Sequence, residues 1–175
     1  MAARYGTVSL TFWNDVKVRG WTDDGRVLAL YLMTCPHRSF EGFYHLPLAL
    51  ASSDLGWSSE RLTVALDELV STDFCDADEP ARVVFIVKAL KYQQIRGRFS
   101  IQGALNSLSL VNGSPRLFGR LLNAADTYQP ELAAEIRRHY DLPKGPYREP
   151  QGCIASTPEE HNPTQRNTTA TKKGS

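Results

Sequence analysis

Between Leu62 and Phe74 the apolar positions are Leu62, Ala65, Leu66, Leu69, Val70 and Phe74. Residues three and four apart share a helix face, so this rhythm predicts one buried stripe. It is the strongest helical period in the chain. Ser58 precedes it as an N-cap, with Glu60 in the first turn. Upstream, Leu48, Ala51, Ser52 and Leu55 share one face of a shorter helix. Pro47 fits its first position, where a missing N–H does no harm. Gly56 is the expected stop, and it and Ala51 are small enough for two helices to approach closely across the turn. Downstream the period changes. Val83-Val84-Phe85-Ile86-Val87 is an unbroken β-branched and aromatic run, the pattern of a well-buried strand. Cys75 to Pro80 is a polar, acidic connection, and Cys75 and its neighbours supply the facing strand.

Weaker patterns flank this centre. Val8 to Trp13 predicts a short strand or extended entry. Thr22 caps a helix beginning at Asp23-Asp24, where acids suit the positive end of the dipole. Val27, Leu28, Leu30, Tyr31, Leu32 and Met33 bury that helix, which ends before Pro36. Gly42 to Leu46 is aromatic and β-prone. After Leu90 comes the basic, polar run Lys91 to Arg98. Helical patterns follow at about 100–111, 115–128 and 130–140, broken by Asn112-Gly113-Ser114-Pro115 and Gln129-Pro130. Leu117, Phe118, Leu121, Leu122 and Ala125 form a packed face. Helix, strand, helix, tight turn, helix, hairpin is the layout of a winged-helix module. The expected fold is therefore α+β, mainly α. A winged helix-turn-helix domain spans 1–93, a small helical extension 94–147 and a disordered tail 148–175.

Composition narrows the function classes. Among 175 residues, 42% hydrophobic and 22% charged is the ordinary globular range. The net charge of +1 hides an asymmetry: residues 1–90 carry −4 and residues 91–175 carry +5. No acidic residue lies between Ala81 and Ala125, a window holding Arg82, Lys88, Lys91, Arg96, Arg98, Arg116 and Arg120. Segregated charge points to a polyanionic partner more than the net value does, with a solvated surface as its rival explanation. No apolar run is long enough for a membrane span, and Met1 to Gly6 lacks the apolar core of a signal peptide. Cys35, Cys75 and Cys153 are scattered and odd in number, which fits free thiols in a reducing cytoplasm. Cys35-Pro36-His37 has no second ligand pair at zinc spacing, and His45 fits a structural position on a strand. Phosphate loop, zinc-hydrolase motif and nucleophile elbow are all missing from the sequence. Asp23-Asp24 already has a capping role. The expectation is a non-enzymatic chain without cofactor or metal.

If the 59–71 helix reads a DNA groove, Ser58 and its N-terminus suit a phosphate. Arg61 suits bidentate contact with guanine, and Ser59 and Thr63 suit bases or phosphates. Asp67 and Glu68 restrict such contact to the first turn. The alternative is a support helix. In the wing and beyond it, Arg82, Lys88, Lys91, Arg96 and Arg98 are placed to neutralise phosphates. Tyr92 and Phe99 either stack on single-stranded bases or belong to the core, the commoner fate of aromatics. Lys17 and Arg19 add either backbone contacts or plain surface charge.

Several short motifs occur in one order. They are Phe12-Trp13-Asn14-Asp15 with Lys17-Val18-Arg19, Leu28-Ala29-Leu30-Tyr31-Leu32-Met33-Thr34, and Glu41-Gly42-Phe43-Tyr44-His45-Leu46-Pro47. Asp54-Leu55-Gly56-Trp57 and Val83 to Gln93 continue the series. Together they resemble phage replication-initiation proteins, in particular the winged-helix N-terminal domain of replisome organisers of the DnaD-like type. The resemblance covers roughly Arg4 to Gln93 and extends loosely to Tyr147. It implies origin recognition in a bacterial host cytoplasm, with DNA as partner, a replicative helicase or loader as a second partner, and homo-oligomers. Many matching residues are core residues, so it bears on fold more than on function. A winged-helix transcriptional regulator and a replisome adaptor for protein interaction or oligomerisation are the alternatives.

Overall fold

A computed structural model describes residues 8–111, 113–143 and 145. The expected tail over 148–175 and Cys153 lie outside the described residues. The fold is α+β and mainly helical, around a three-stranded antiparallel sheet. A 3-10 turn at Phe12–Asn14 leads into α1 (Val16–Gly20) and α2 (Asp23–Thr34). Then come β1 (Phe43–His45), α3 (Leu48–Leu55), α4 (Ser59–Ser71), β2 (Cys75–Asp78) and β3 (Val83–Ile86). Four helices follow: α5 (Ala89–Tyr92), α6 (Arg98–Ser109), α7 (Pro115–Tyr128) and α8 (Pro130–His139).

Local chemistry sets most boundaries. Thr22 accepts from Gly25 N–H at the start of α2, and Ser58 accepts from Arg61 N–H at the start of α4. Gly56 ends α3 at φ 65°, left-handed backbone that glycine takes without a Cβ clash. Pro47 sits one residue earlier than expected, as N-cap to α3. Val8 to Trp13 is not a strand. Ser9 accepts from Phe12 N–H, and Asp15 caps α1 through Lys17 N–H. Phe12, Val18 and Trp21 are buried together, a spacing of six and three that suits turns rather than an alternating strand. On α4, Leu62, Ala65, Leu66 and Leu69 are buried as the stripe requires, while Val70 turns outward. Val27 on α2 is likewise exposed.

The sheet order is β1-β3-β2, so β3 is central. Phe43 faces Phe85 and Tyr44 faces Val84; Cys75 faces Ile86 and Asp76 faces Phe85. Side chains alternate across the sheet, and both faces are covered. Tyr44, Val84, Ile86 and Cys75 join one cluster with Leu28, Leu32, Leu62 and Leu69. Phe43, Val83 and Phe85 join another with Ile101, Leu105, Leu117 and Leu121. The helices after Gln93 therefore roof the outer face of the sheet. Of the hairpin, only the tip at Glu79, Pro80 and Arg82 is fully exposed.

The same alternation explains the acids of β2. Cys75 lies in the first cluster, and Ala77 packs against it. Asp76 and Asp78 point the other way, at α7. Asp76 is buried and accepts from Arg116 at 2.6 and 3.1 Å and from Arg120 at 2.5 Å. Arg120 also reaches Asp73, and Ser114 Oγ donates to Asp78 at 2.6 Å. Burial pulls the Asp76 carboxyl upward, but the hydrogen bonds from Arg116 and Arg120 hold it below the usual carboxylate range. Cys75 and its neighbours thus supply the expected facing strand, and their acids add an ionic joint that the sequence pattern did not announce.

Candidate functional site

The expected DNA-contact residues fall into separate places. Ser58, Ser59, Arg61 and Thr63 crowd the first turn of α4 and are exposed. Ser58 Oγ is engaged in the cap, and Thr63 Oγ donates to Ser59 carbonyl at 2.9 Å. Arg61 donates through Nε and Nη2 to both oxygens of Asp24, at 2.7 and 2.6 Å. Its guanidinium also lies 4.4 Å from the centre of the Trp57 ring. The fork expected to meet guanine is thus occupied by a carboxylate of α2. Asp67 is exposed further along α4. Glu68 instead accepts from Thr22 N–H and hydroxyl at 2.9 and 2.6 Å.

The other cations lie elsewhere. Val87 N–H donates to Phe74 carbonyl, which places the β3–α5 turn beside the C-terminal end of α4. Lys88 and Lys91 therefore stand about 20 Å from Ser58, the length of a 13-residue helix. Arg82 is at the hairpin tip with φ 54°. Arg96 and Arg98 flank Gly97, where φ is 80° and α6 begins. Arg82, Lys88, Lys91, Arg96 and Arg98 are all exposed, and none has an ion pair among the described residues. Arg116 and Arg120 leave the set, since Asp76 and Asp73 neutralise them.

Both aromatics of this segment are in water rather than in the core. Tyr92 is 68% exposed and Phe99 94% exposed. Lys91 Nζ lies 5.4 Å from the Tyr92 ring centre. Phe99 falls off the buried stripe of α6, which runs through Ile101, Ala104, Leu105 and Leu108. The stretch Lys88 to Phe99 thus presents four cations and two aromatic faces.

A residue that sequence reasoning passed over holds this stretch in place. Gln129 was legible only as part of a helix break. It is buried, accepts from Ile95 N–H at 3.0 Å, and donates to the carbonyls of Leu90 at 2.7 Å and Gln93 at 2.6 Å. Its full amide is spent on the backbone of the basic loop. No local pattern announces such a clamp, because its partners lie 34 to 39 residues away.

Other chemistry finds little support. Cys35 and Cys75 are free and buried; burial pushes the Cys75 thiol up to about 12, so it stays protonated at neutral pH. No group of three metal-binding side chains occurs among the described residues. No described helix is long and apolar enough to cross a membrane. The chain matches no family model, and neither curated proteins nor solved structures provide a significant match.

Proposed function

We propose that this chain is a non-enzymatic DNA-binding protein of phage-type replication initiation, built on a winged helix. The order helix, strand, helix, helix, strand, strand with sheet order β1-β3-β2 supports the winged-helix reading. The observation that carries DNA binding is the Lys88–Phe99 surface. Its Lys88, Lys91, Arg96 and Arg98 lack carboxylate partners among the described residues, and Tyr92 and Phe99 are exposed. Cations placed this way grip phosphates without reading sequence. Arg82 at the hairpin tip adds a fifth contact from a second direction. The first turn of α4 contributes bases only when Arg61 leaves Asp24.

The test is fluorescence anisotropy of labelled duplex DNA across a salt series. Five phosphate contacts give a log–log slope of about −4.5, or roughly a 500-fold loss between 50 and 200 mM salt. Charge reversal at Arg96 and Arg98 removes about two-fifths of that slope. Absence of binding at low salt, or a slope untouched by the reversal, overturns the reading. A replisome adaptor role, with a helicase, a loader or a second copy as partner, is the second reading. Leu10, Trp13 and Val16 favour it, since all three are exposed near the start of the described chain. Light scattering without DNA tests it.

A further inference from the structure

A cleft opens between the N-terminal turn with α1 on one side and the β3–α5 turn on the other. Its volume is about 190 Å³. That exceeds the ~150 Å³ apolar cavity known to admit benzene, so a body of one or two rings fits. The floor is apolar: Phe12, Trp21, Met33, Phe74 and Ile86. Trp21 and Phe74 meet edge to face, 5.1 Å apart. Three cations stand around this floor, Lys17, Arg38 and Lys88.

The charges do not cancel within the wall. Asp15 is engaged in capping α1, and Asp73 pairs with Arg120. Lys17 donates to a neutral acceptor, the Thr72 carbonyl. Lys88 has no ion pair among the described residues. Arg38 is half-buried, and its Nε is shielded from solvent with no hydrogen-bond partner among the described residues. Glu41 lies close enough to act on Arg38 electrostatically, yet its own Oε1 is also unpartnered. A ligand oxygen does not reach that shielded Nε, but the terminal nitrogens of Arg38, which lines the cleft, also have no acceptor among the described residues and can donate to it.

We propose that this cleft binds a small organic anion: a flat apolar body seated on Trp21 and Phe74, with a carboxylate or sulfonate held by Arg38 and Lys88. Apolar walls with few polar groups converging on one end are the usual form of a small-molecule site. The cleft shares Lys88 and Tyr92 with the proposed DNA surface, while the α4 first turn and Arg96 and Arg98 lie outside it.

Isothermal titration of the full chain with 2-naphthoate tests the assignment, with 2-naphthylmethanol as the uncharged analogue. The expected result is saturable one-to-one binding of naphthoate, about tenfold tighter than the alcohol, the worth of one charge-assisted hydrogen bond. Lys88→Glu and Arg38→Gln should each weaken naphthoate about tenfold. Arg138→Glu, an exposed change on α8 outside the cleft, should leave it unaltered. No saturable binding, equal affinity for acid and alcohol, or equal effects of Lys88→Glu and Arg138→Glu would each overturn the proposal.

Discussion

Replacing Asp76 with asparagine keeps the side-chain shape and removes the charge on which α7 is docked. The Asp76 side chain is 8% exposed, and its guanidinium partners Arg116 and Arg120 are 51% and 36% exposed. Removing one member of a fully buried pair costs about 3–5 kcal/mol. Here the arginines keep partial hydration, which screens the loss and brings the expected cost to about 2 kcal/mol. For a chain of this size that lowers the melting temperature by roughly 4–8 °C. Arg116 and Arg120 also repel one another, and the amide no longer offsets that. Urea unfolding followed by circular dichroism measures the change. A double-mutant cycle of Asp76→Asn with Arg116→Gln should show coupling of about 1 kcal/mol. The pH dependence has a fixed sign. The folded Asp76 carboxyl titrates below its ordinary value, so its stabilisation is present above the unfolded pKa of about 4. That stabilisation fades as pH falls through the folded value, and Asp76→Asn should flatten this part of the acid limb. A cost within ~0.5 kcal/mol, the range of an ordinary surface change, would refute the ionic joint.

Gln129→Ala strands the Ile95 amide and two carbonyls; a loss of about 3 kcal/mol is expected, with faster hydrogen exchange at Ile95. The same variant should bind DNA more weakly although no cation is changed, which anisotropy reads directly. Asp24→Asn releases the Arg61 fork and should tighten duplex binding, adding about one unit to the salt slope; unchanged affinity would detach α4 from DNA. Gly42→Ala introduces a Cβ at φ +71° into contact with Ala89 and should cost more than about 1 kcal/mol in a thermal melt.

Elements governed by neighbours in sequence were legible. Thr22, Ser58 and Gly56 act within one turn, so their caps stand where the residues suggest. The α4 stripe and the Val83 run announce their own burial. What covers them is set by distant segments, and local pattern is silent there. Asp76 reads as part of an acidic connection until α7 supplies two arginines from 40 and 44 residues on. Arg61 reads as an unoccupied fork until α2 brings Asp24 across from 37 residues away. Phe99 was readable in principle: it lies two residues from Ile101, on the far side of a helix stripe. A general preference of aromatics for the core obscured it.

The shared sheet imposes an order on synthesis. Phe43, Val83 and Phe85 are made well before Leu117 and Leu121, the α7 residues in their cluster. At cellular elongation rates the chain between Ile86 and Ala125 takes roughly 2–8 s to emerge. Throughout that interval the nascent N-terminal half presents one naked aromatic sheet face to solvent, beside strands of three and four residues with unpaired edges. The earliest partner of this protein is therefore whatever shelters that face at the ribosome.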